Sequence, residues 1–252
     1  MRLSGKAVII TGGSSGIGFA AAKLLAAAGA KVGITGRDEK KLREAATEIG
    51  KGTVALVADT TDYEGTRKAF AEFAAKLGPI DGVFINAGIA GVTPLKDSPV
   101  ALFEDIVRTN FTGAFFTAQA ALPHLRDGGS LVFNGSVHAV MGAPGYSAYA
   151  GSKGAVRAMV RNLASELAPR GIRVNQVTPG ATRTPIWGGR KEIEGVIAAV
   201  TPLGRMADAD EVANAALFLI ADESKHITAT EIVIDGGAIN APSGAPALSL
   251  RR

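Results

Sequence analysis

The stretch "KAVIITGGSSGIG" at residues 6–18 joins an apolar run to a glycine-rich turn. The β-branched residues of the run favour a strand, and the alanine-rich residues that follow the turn favour a helix. The glycines of the turn allow the backbone to bend sharply and to approach a pyrophosphate, while the N-terminus of the helix supplies unpaired N–H groups. A strand, a glycine-rich turn and a helix in this order predict a dinucleotide-binding loop rather than an ordinary tight turn.

The rest of the chain repeats this alternation of short apolar runs and longer helical stretches. Six further runs are typical of buried parallel strands, at residues 31–35, 53–57, 82–85, 130–134, 172–177 and 231–235. Predicted helices lie between them, at residues 16–29, 38–50, 62–78, 101–125 and 147–171. Such a βαβ series predicts an α/β fold with one doubly wound parallel sheet, whose ligands bind at the carboxyl ends of the strands.

The composition limits the classes of protein to which the chain can belong. Of its 252 residues 47% are hydrophobic, which is enough for a sizeable core in a single domain. The chain has no cysteine, so disulfides and thiolate metal ligands are excluded. Its net charge is only +4, and it shows neither a leader pattern nor a long apolar run. We therefore expect a soluble cytoplasmic protein without a metal site and without nucleic-acid or membrane partners.

Further motifs follow the glycine-rich turn in a fixed order. They are "NAG" at 86–88, Asn110, Ser136, "YAGSK" at 149–153, "PG" at 179–180 and "IDGG" at 234–237. Together with "TGGSSGIG" at 11–18, this set resembles the short-chain dehydrogenase/reductase family over nearly the whole chain. The resemblance implies a single-domain Rossmann fold, a nicotinamide cofactor, reversible hydride transfer between a carbonyl and an alcohol, and a homotetramer.

Two tyrosines, Tyr146 and Tyr149, stand close before Lys153. Reduction of a ketone requires an acid with a pKa near the working pH, and a nearby cation lowers the pKa of a phenol from about 10. Tyr149 and Lys153 are four residues apart, which places them on one face of a helix. Tyr149 is therefore the predicted acid/base and Lys153 its tuning charge, and the resemblance implies that Lys153 also holds the nicotinamide ribose. Tyr146 falls in the approach to the helix and is predicted to form the pocket wall or to serve packing.

Two polar residues complete the predicted catalytic set. Ser136 follows a strand, where its hydroxyl can donate to the substrate carbonyl and stabilise the oxyanion. Asn110 lies in the middle of a predicted helix, where asparagine is unfavourable. The resemblance implies that Asn110 bends this helix and holds a water that links Lys153 to solvent, and an exposed surface asparagine is the alternative.

Predicted cofactor contacts lie where strands end. The resemblance implies that Asp59, with Thr60 beside it, pairs with the adenine amino group, and a cap on the next helix is the alternative for Asp59. The other predicted contacts are Gly12, Ser14, Ser15, Gly16, Ile17, Gly18, Arg37, Asn86, Ala87, Gly88, Tyr149, Lys153, Pro179, Gly180 and Thr182.

The end of the second strand distinguishes NADP from NAD. Enzymes that use NAD place an acidic residue there for the adenosine ribose. This chain has Gly36 at that position, followed by Arg37, whose guanidinium suits bidentate contact with a phosphate. Two points oppose this interpretation, because Arg37 can be a solvated residue before a helix capped by Asp38, and because Ser15 stands where many NADP-using relatives have a second arginine. NADP is the predicted cofactor and NAD the alternative.

Substrate contacts are predicted around the same site. His138 lies two residues after Ser136 and can bond a substrate or be an ordinary loop histidine. Trp187 lies in the segment 182–205, which by resemblance forms a mobile lid, and it either stacks on a substrate or fills a gap. The catalytic domain is expected to span 1–237, and residues 238–252 have the composition of a flexible tail.

The sequence leaves several functions open. The main prediction is an NADP(H)-dependent oxidoreductase that acts on a small-molecule carbonyl or alcohol. An acyl-thioester ketoreductase and an NAD-dependent sugar or polyol dehydrogenase are alternatives within enzymes. A non-catalytic nucleotide-binding regulatory protein is the alternative of another class, and the complete catalytic set argues against it.

Overall fold

A computed structural model describes residues 1–187 and 192–241 of the chain. The strands in this part are β1 (Ala7–Thr11), β2 (Lys31–Gly36), β3 (Val54–Val57), β4 (Ile80–Ile85), β5 (Leu125–Asn134), β6 (Arg173–Pro179), β7 (Thr182–Arg183), β8 (Ala207–Asp208) and β9 (Glu231–Ile234). Seven of them form one parallel sheet in the order β3-β2-β1-β4-β5-β6-β9, and β7 pairs with β8. The order reverses direction beside β1, as in a doubly wound sheet, so the predicted fold class is confirmed.

Helices cover both faces of this sheet. They are α1 (Gly16–Ala27), α2 (Glu39–Ile49), α3 (Tyr63–Leu77), α4 (Val100–Val107), α5 (Gly113–Ala121), α6 (Ser147–Leu167), α7 (Glu192–Val200) and α8 (Ala209–Ile220). A π-helical turn, Arg108–Thr112, joins α4 to α5, so the stretch predicted as one helix is interrupted. Helix α8 was not predicted from the sequence, although Asp208 and Glu211 form a capping box at its start.

The alternation of side chains along the strands produces two hydrophobic cores. On β1, Val8 and Ile10 pack in the core beneath α1, α2 and α8, whereas Ala7 and Ile9 pack in the opposite core beneath α3, α5 and α6. All four side chains are at most 1% exposed. A strand that is buried on both faces must be apolar throughout, which explains the continuous apolar runs in the sequence.

Within the two described ranges, no helix is long and apolar enough to cross a membrane.

Candidate active site

The carboxyl ends of the central strands enclose a cavity of about 340 Å³. Thirteen of the predicted cofactor contacts line it: Gly12, Ser14, Ser15, Gly16, Ile17, Arg37, Asp59, Thr60, Asn86, Ala87, Gly88, Tyr149 and Lys153. Three others, Pro179, Gly180 and Thr182, line an adjoining cavity of about 430 Å³, and Gly18 lines neither of the two. The structure thus brings together residues that the sequence places on five different strand ends.

The glycine-rich turn bends so tightly that its glycines cannot be replaced freely. Gly12 and Gly16 have φ angles of 66° and 53°, in the left-handed region that glycine adopts without strain. A Cβ atom on Gly18 would lie 2.3 Å from the carbonyl oxygen of Gly12. Gly18, in the first turn of α1, therefore packs against the carbonyl of Gly12 rather than lining the cavity.

Asn86 ties the end of β4 to the glycine-rich turn. Its side-chain nitrogen donates to the carbonyl oxygens of Thr11 at 3.0 Å and Gly12 at 3.3 Å. The main-chain N–H groups of Asn86 and Ala87 both donate to the hydroxyl of Thr11. These bonds fix the cavity floor between two neighbouring strands.

Lys153 is 5% exposed and lies one turn after Tyr149 on α6. Its Nζ donates to the main-chain oxygen of Asn134 at 2.7 Å and lies 5.7 Å from the centre of the Tyr149 ring. Burial disfavours the ammonium and lowers the pKa of Lys153 to about 8.

Tyr149 lines both cavities, as do Ile17, Asn134, Thr184 and Ile186. Burial raises its pKa above the ordinary value, and a hydrogen bond with Ser136 acts in the opposite direction. The expected lowering of this pKa by Lys153 is therefore wrong for the protein groups alone. Desolvation is the largest influence on the Tyr149 pKa, while the Lys153 ammonium is directed to Asn134 and is itself destabilised by burial.

Ser136 follows β5 and is 6% exposed. It precedes a short 3-10 turn, Val137–Ala139, and its hydroxyl oxygen accepts a hydrogen bond from the main-chain N–H of His138 at 3.2 Å. This bond fixes the Ser136 side chain next to Tyr149.

Asn110 lies in the π-helical turn and is 2% exposed, so the alternative of an exposed surface asparagine is wrong. Its side chain accepts from the N–H of Ile89 and donates to the carbonyl oxygen of Ile89, both at 2.8 Å. It also donates to the hydroxyl of Ser152 at 3.2 Å. The widened turn lets this side chain pin the loop after β4 against α6, beneath Lys153.

Asp59 and Thr60 line the end of the first cavity that lies beyond β3. One carboxylate oxygen of Asp59 accepts from the N–H and the hydroxyl of Thr61, both at 2.8 Å. The N-cap of α3 is Asp62, whose side chain accepts from Gly65. The alternative that Asp59 caps this helix is therefore wrong.

The end of β2 gives the first cavity an exposed cation. Arg37 lines the cavity, and within the described part of the chain it forms no ion pair. Asp38 instead caps α2 through Lys41, as the sequence predicts. A Cβ atom on Gly36 would lie 3.1 Å from the Ser14 hydroxyl, so this hydroxyl lies close beside position 36.

The second cavity lies beyond Ser136 and Tyr149 and also contains the other two predicted substrate residues whose side chains are described, His138 and Tyr146. The His138 ring centre lies 5.4 Å from that of Tyr146 and 5.6 Å from that of Tyr149. The backbone of Trp187 ends the 3-10 turn Pro185–Trp187, while its side chain lies outside the described part of the structure.

Two functional contacts escaped the sequence analysis. Asn134 lines both cavities and supplies the carbonyl that holds Lys153, while its side-chain nitrogen donates to Asn86 at 2.9 Å. Thr93 accepts from the N–H of Ala148 at 3.1 Å and so caps the first turn of α6 from a distant loop. The polar Asn134 at the end of an apolar strand is a signal that the sequence does offer, whereas nothing in the sequence reveals the cap from Thr93.

A doubly wound sheet with a glycine-rich turn, a nucleotide-sized cavity and a Ser–Tyr–Lys cluster defines a nicotinamide-dependent oxidoreductase. A family model described as enoyl-(acyl carrier protein) reductase matches residues 12–238. The chain belongs to the short-chain dehydrogenase/reductase family.

Named relatives and solved structures agree with this assignment. The chain is 36% identical to glucose 1-dehydrogenase of Gluconobacter oxydans, over 94% of this chain and 92% of that protein. It is 34% identical to the NADP-dependent (R)-specific alcohol dehydrogenase of Lentilactobacillus kefiri, over 94% and 97%. A short-chain type dehydrogenase/reductase from Mycobacterium marinum superposes with a TM-score of 0.90 at 35% identity, over 95% and 97% of the two chains.

Proposed function

We propose that the protein is an NADP(H)-dependent oxidoreductase that interconverts a small-molecule carbonyl and its alcohol, with Tyr149 as acid/base. The observation that supports this most is the position of Tyr149, which lines both the nucleotide-sized cavity and the adjoining apolar cavity. A substrate in the second cavity would face a nicotinamide in the first across this phenol.

The proposed roles of the protein groups follow from their surroundings. A bound nicotinamide supplies or accepts the hydride. The Ser136 hydroxyl donates a hydrogen bond to the substrate oxygen, and Tyr149 delivers a proton to the developing alkoxide. The raised pKa of Tyr149 keeps its phenol protonated, as proton delivery requires. Lys153 holds the ribose and balances charge, and Asn110 fixes the loop beneath it and holds the relay water.

Choice of NADP over NAD rests on the end of β2. A 2′-phosphate at that end of the cavity would meet Arg37, which has no competing carboxylate among the described ion pairs, and the Ser14 hydroxyl beside Gly36. An aspartate at position 36 would repel the phosphate and make a tight contact with the Ser14 hydroxyl, so the architecture favours NADP. Ser15 begins α1 as its N-cap and offers a further hydroxyl.

The adenine and pyrophosphate contacts are proposed on the same cavity. Asp59 and Thr60 would hold the adenine, and residues 12–18 the pyrophosphate at the start of α1. Residues 86–88 and Pro179, Gly180 and Thr182 would hold the nicotinamide end, where the two cavities meet.

Residues 182–205 are proposed to act as the lid of a catalytic domain that spans 1–237. Thr184, Ile186, Ile193 and Ile197 of this segment line the second cavity, which supports a covering role. Residues 188–191 of the lid and residues 242–252 of the proposed tail lie outside the described residues.

The test is a screen of carbonyl and alcohol panels with NADPH, NADH and their oxidised forms, followed by nicotinamide absorbance. Turnover of a carbonyl with a preference for NADPH is the expected result. Tight binding of the cofactor without turnover of any compound would favour the non-catalytic regulatory alternative. A strong preference for NADH with sugars or polyols would favour the dehydrogenase alternative.

A further inference from the structure

The second cavity combines an apolar wall with a small polar region. Most of its described lining is apolar and includes Ile17, Val137, Ile193 and Ile197. Its described lining contains no lysine, arginine, aspartate or glutamate. A carboxylate or phosphate would lose its hydration here without gaining a countercharge, so this lining favours an uncharged, largely apolar substrate.

His138 stands next to the groups proposed to bind the reacting oxygen. Its main-chain N–H is bonded to Ser136, and its ring stands edge-on to Tyr149 with 5.6 Å between ring centres. The Tyr146 ring centre lies 5.4 Å from that of His138. His138 and Tyr146 have no part in the proposed hydride transfer. Both side chains therefore lie near enough to Tyr149 for one small molecule to contact all three.

The protonation of His138 follows from its burial. Desolvation lowers the pKa of His138, which favours the neutral imidazole with one N–H. Nδ1 is buried without a hydrogen-bond partner. An orphaned buried N–H is rarer and more costly than an unpaired lone pair, so we assign the proton to Nε2. Nε2 is then a hydrogen-bond donor on a residue that lines the cavity.

We propose that His138 and Tyr146 form a second oxygen site, which selects neutral, largely apolar carbonyl substrates that carry another oxygen one or two carbons from the reacting carbon. The imidazole N–H would donate to that oxygen, and the Tyr146 hydroxyl would donate to it or accept from it. α-Hydroxyketones and the corresponding vicinal diols belong to this class. The inference rests on the proposed function, because it takes Tyr149 as the group that faces the reacting carbonyl.

Two ketones that differ by one hydroxyl test this site. The kcat/KM for α-hydroxyacetophenone divided by that for acetophenone is measured for the wild type, His138→Leu, His138→Asn and Tyr146→Phe. A site built to bond a second oxygen discriminates strongly against the analogue that lacks it. We expect the ratio to fall about tenfold or more in His138→Leu, since the ratio cancels general damage to the site. His138→Asn keeps a donor and should retain more of the ratio, and Tyr146→Phe should lower it less than His138→Leu.

The control variant is His226→Leu, because His226 is exposed and lies outside the cavity lining. We expect it to leave the ratio of the two kcat/KM values unchanged. An unchanged ratio in His138→Leu, with acetophenone still reduced, would overturn the second oxygen site and leave the proposed function intact. If the wild type reduced neither ketone but reduced other carbonyls, the substrate class would be wrong. If the wild type reduced no carbonyl at all, the proposed function would fail as well.

Discussion

Tyr149 differs from Tyr146 in position although the two residues are only three apart. Tyr149 lies within α6, one turn before Lys153, whereas Tyr146 is the residue before the helix begins. We predict that Tyr149→Phe abolishes turnover while cofactor binding survives, because only the proton donor is lost. Lys153→Ala should lower both turnover and cofactor binding, since the lysine is proposed to hold the ribose. Steady-state rates and titrations of the cofactor separate the two effects.

Tyr146→Phe is the matched comparison, because it removes the same hydroxyl three residues away. Its effect on turnover should be much milder. Near-normal rates in Tyr149→Phe, together with loss of turnover in Tyr146→Phe, would reverse the assignment of the two tyrosines.

Arg37 is the residue on which the cofactor preference depends. We predict that Arg37→Ala raises the KM for NADPH by roughly tenfold or more, because a charge-assisted contact with the 2′-phosphate is lost. The KM for NADH should change little. Initial rates with the two cofactors measure this difference.

Arg43→Ala is the control for this experiment. Arg43 is exposed on α2, is paired with Glu39 and does not line the cavity. Arg43→Ala should change neither the KM for NADPH nor the KM for NADH. Equal losses with NADPH and NADH in Arg37→Ala, or a wild type that prefers NADH, would show that Arg37 does not read the phosphate.

At the scale of elements, the end of β5 is supported by its neighbour β6. Gly135 lies directly before Ser136, and a Cβ atom on it would come within 2.2 Å of the Gln176 side-chain nitrogen. Gln176 is 1% exposed and donates to the hydroxyl of Thr178 at 2.8 Å, so it has little freedom to move. The large Gln176 side chain on β6 thus requires glycine before Ser136.

This pairing predicts that Gly135→Ala lowers both stability and turnover. Overpacking of a buried site typically costs about 1–3 kcal/mol of unfolding free energy, and the strain falls next to Ser136. The double variant Gly135→Ala with Gln176→Ala should recover part of the stability and part of the turnover, because the alanine side chains at positions 135 and 176 then fit together. Chemical denaturation and kcat/KM of the three variants and the wild type complete the cycle.

Gly142→Ala is a suitable control, since a Cβ atom there would meet nothing within 4 Å. It should have little effect on either measurement. Full activity and stability of Gly135→Ala would show that β6 yields to the new methyl group and that this contact does not position Ser136.

At the scale of the whole molecule, burial of Lys153 couples protonation to folding. Its pKa is about 8 in the folded chain and 10.5 ordinarily, so between these values the unfolded chain binds more protons. The free energy of unfolding contributed by this group therefore rises with pH across this window, by about 1.4 kcal/mol per pH unit. Below pH 8 its destabilising effect is fully present.

Comparison with Lys153→Met isolates this contribution, because the variant keeps the apolar stem and removes the titrating group. Denaturation between pH 8 and 9.5, without added cofactor, measures the difference in unfolding free energy between wild type and variant. This difference should change in favour of the wild type as the pH rises. A difference that stays constant over this range would contradict the buried, depressed lysine.

We also propose that the molecule assembles as a homotetramer. β9 lies at an open edge of the described sheet, and Phe103 on α4 and Phe115 on α5 are 40% and 37% exposed. Closed, symmetric assemblies commonly cover such surfaces. Light scattering should give four times the 25.7 kDa mass of one chain, and Phe115→Glu should lower it.

Val57→Glu on β3, at the other edge of the sheet, is the control for this substitution, because Val57 is also exposed. Its mass should equal that of the wild type. A wild type that remains monomeric at micromolar concentration would remove the proposal of a tetramer.

The sequence by itself determined the features that depend on short-range spacing. Short runs rich in β-branched residues, most of them apolar on both faces, predicted all seven strands of the main sheet, and the glycine-rich turn predicted the start of α1. The spacing of Tyr149 and Lys153 placed them on one face of a helix, because neighbours along a helix are fixed by its pitch.

Only the tertiary structure decided the contacts between residues far apart in the chain. It placed Lys153 on the carbonyl of Asn134 and made Thr93 the cap of α6. It also raised rather than lowered the pKa of Tyr149, because desolvation depends on how much protein surrounds a group. Spacing along a helix or strand is a property of local geometry, whereas burial and long-range partners exist only once the sheet and its helices have packed together.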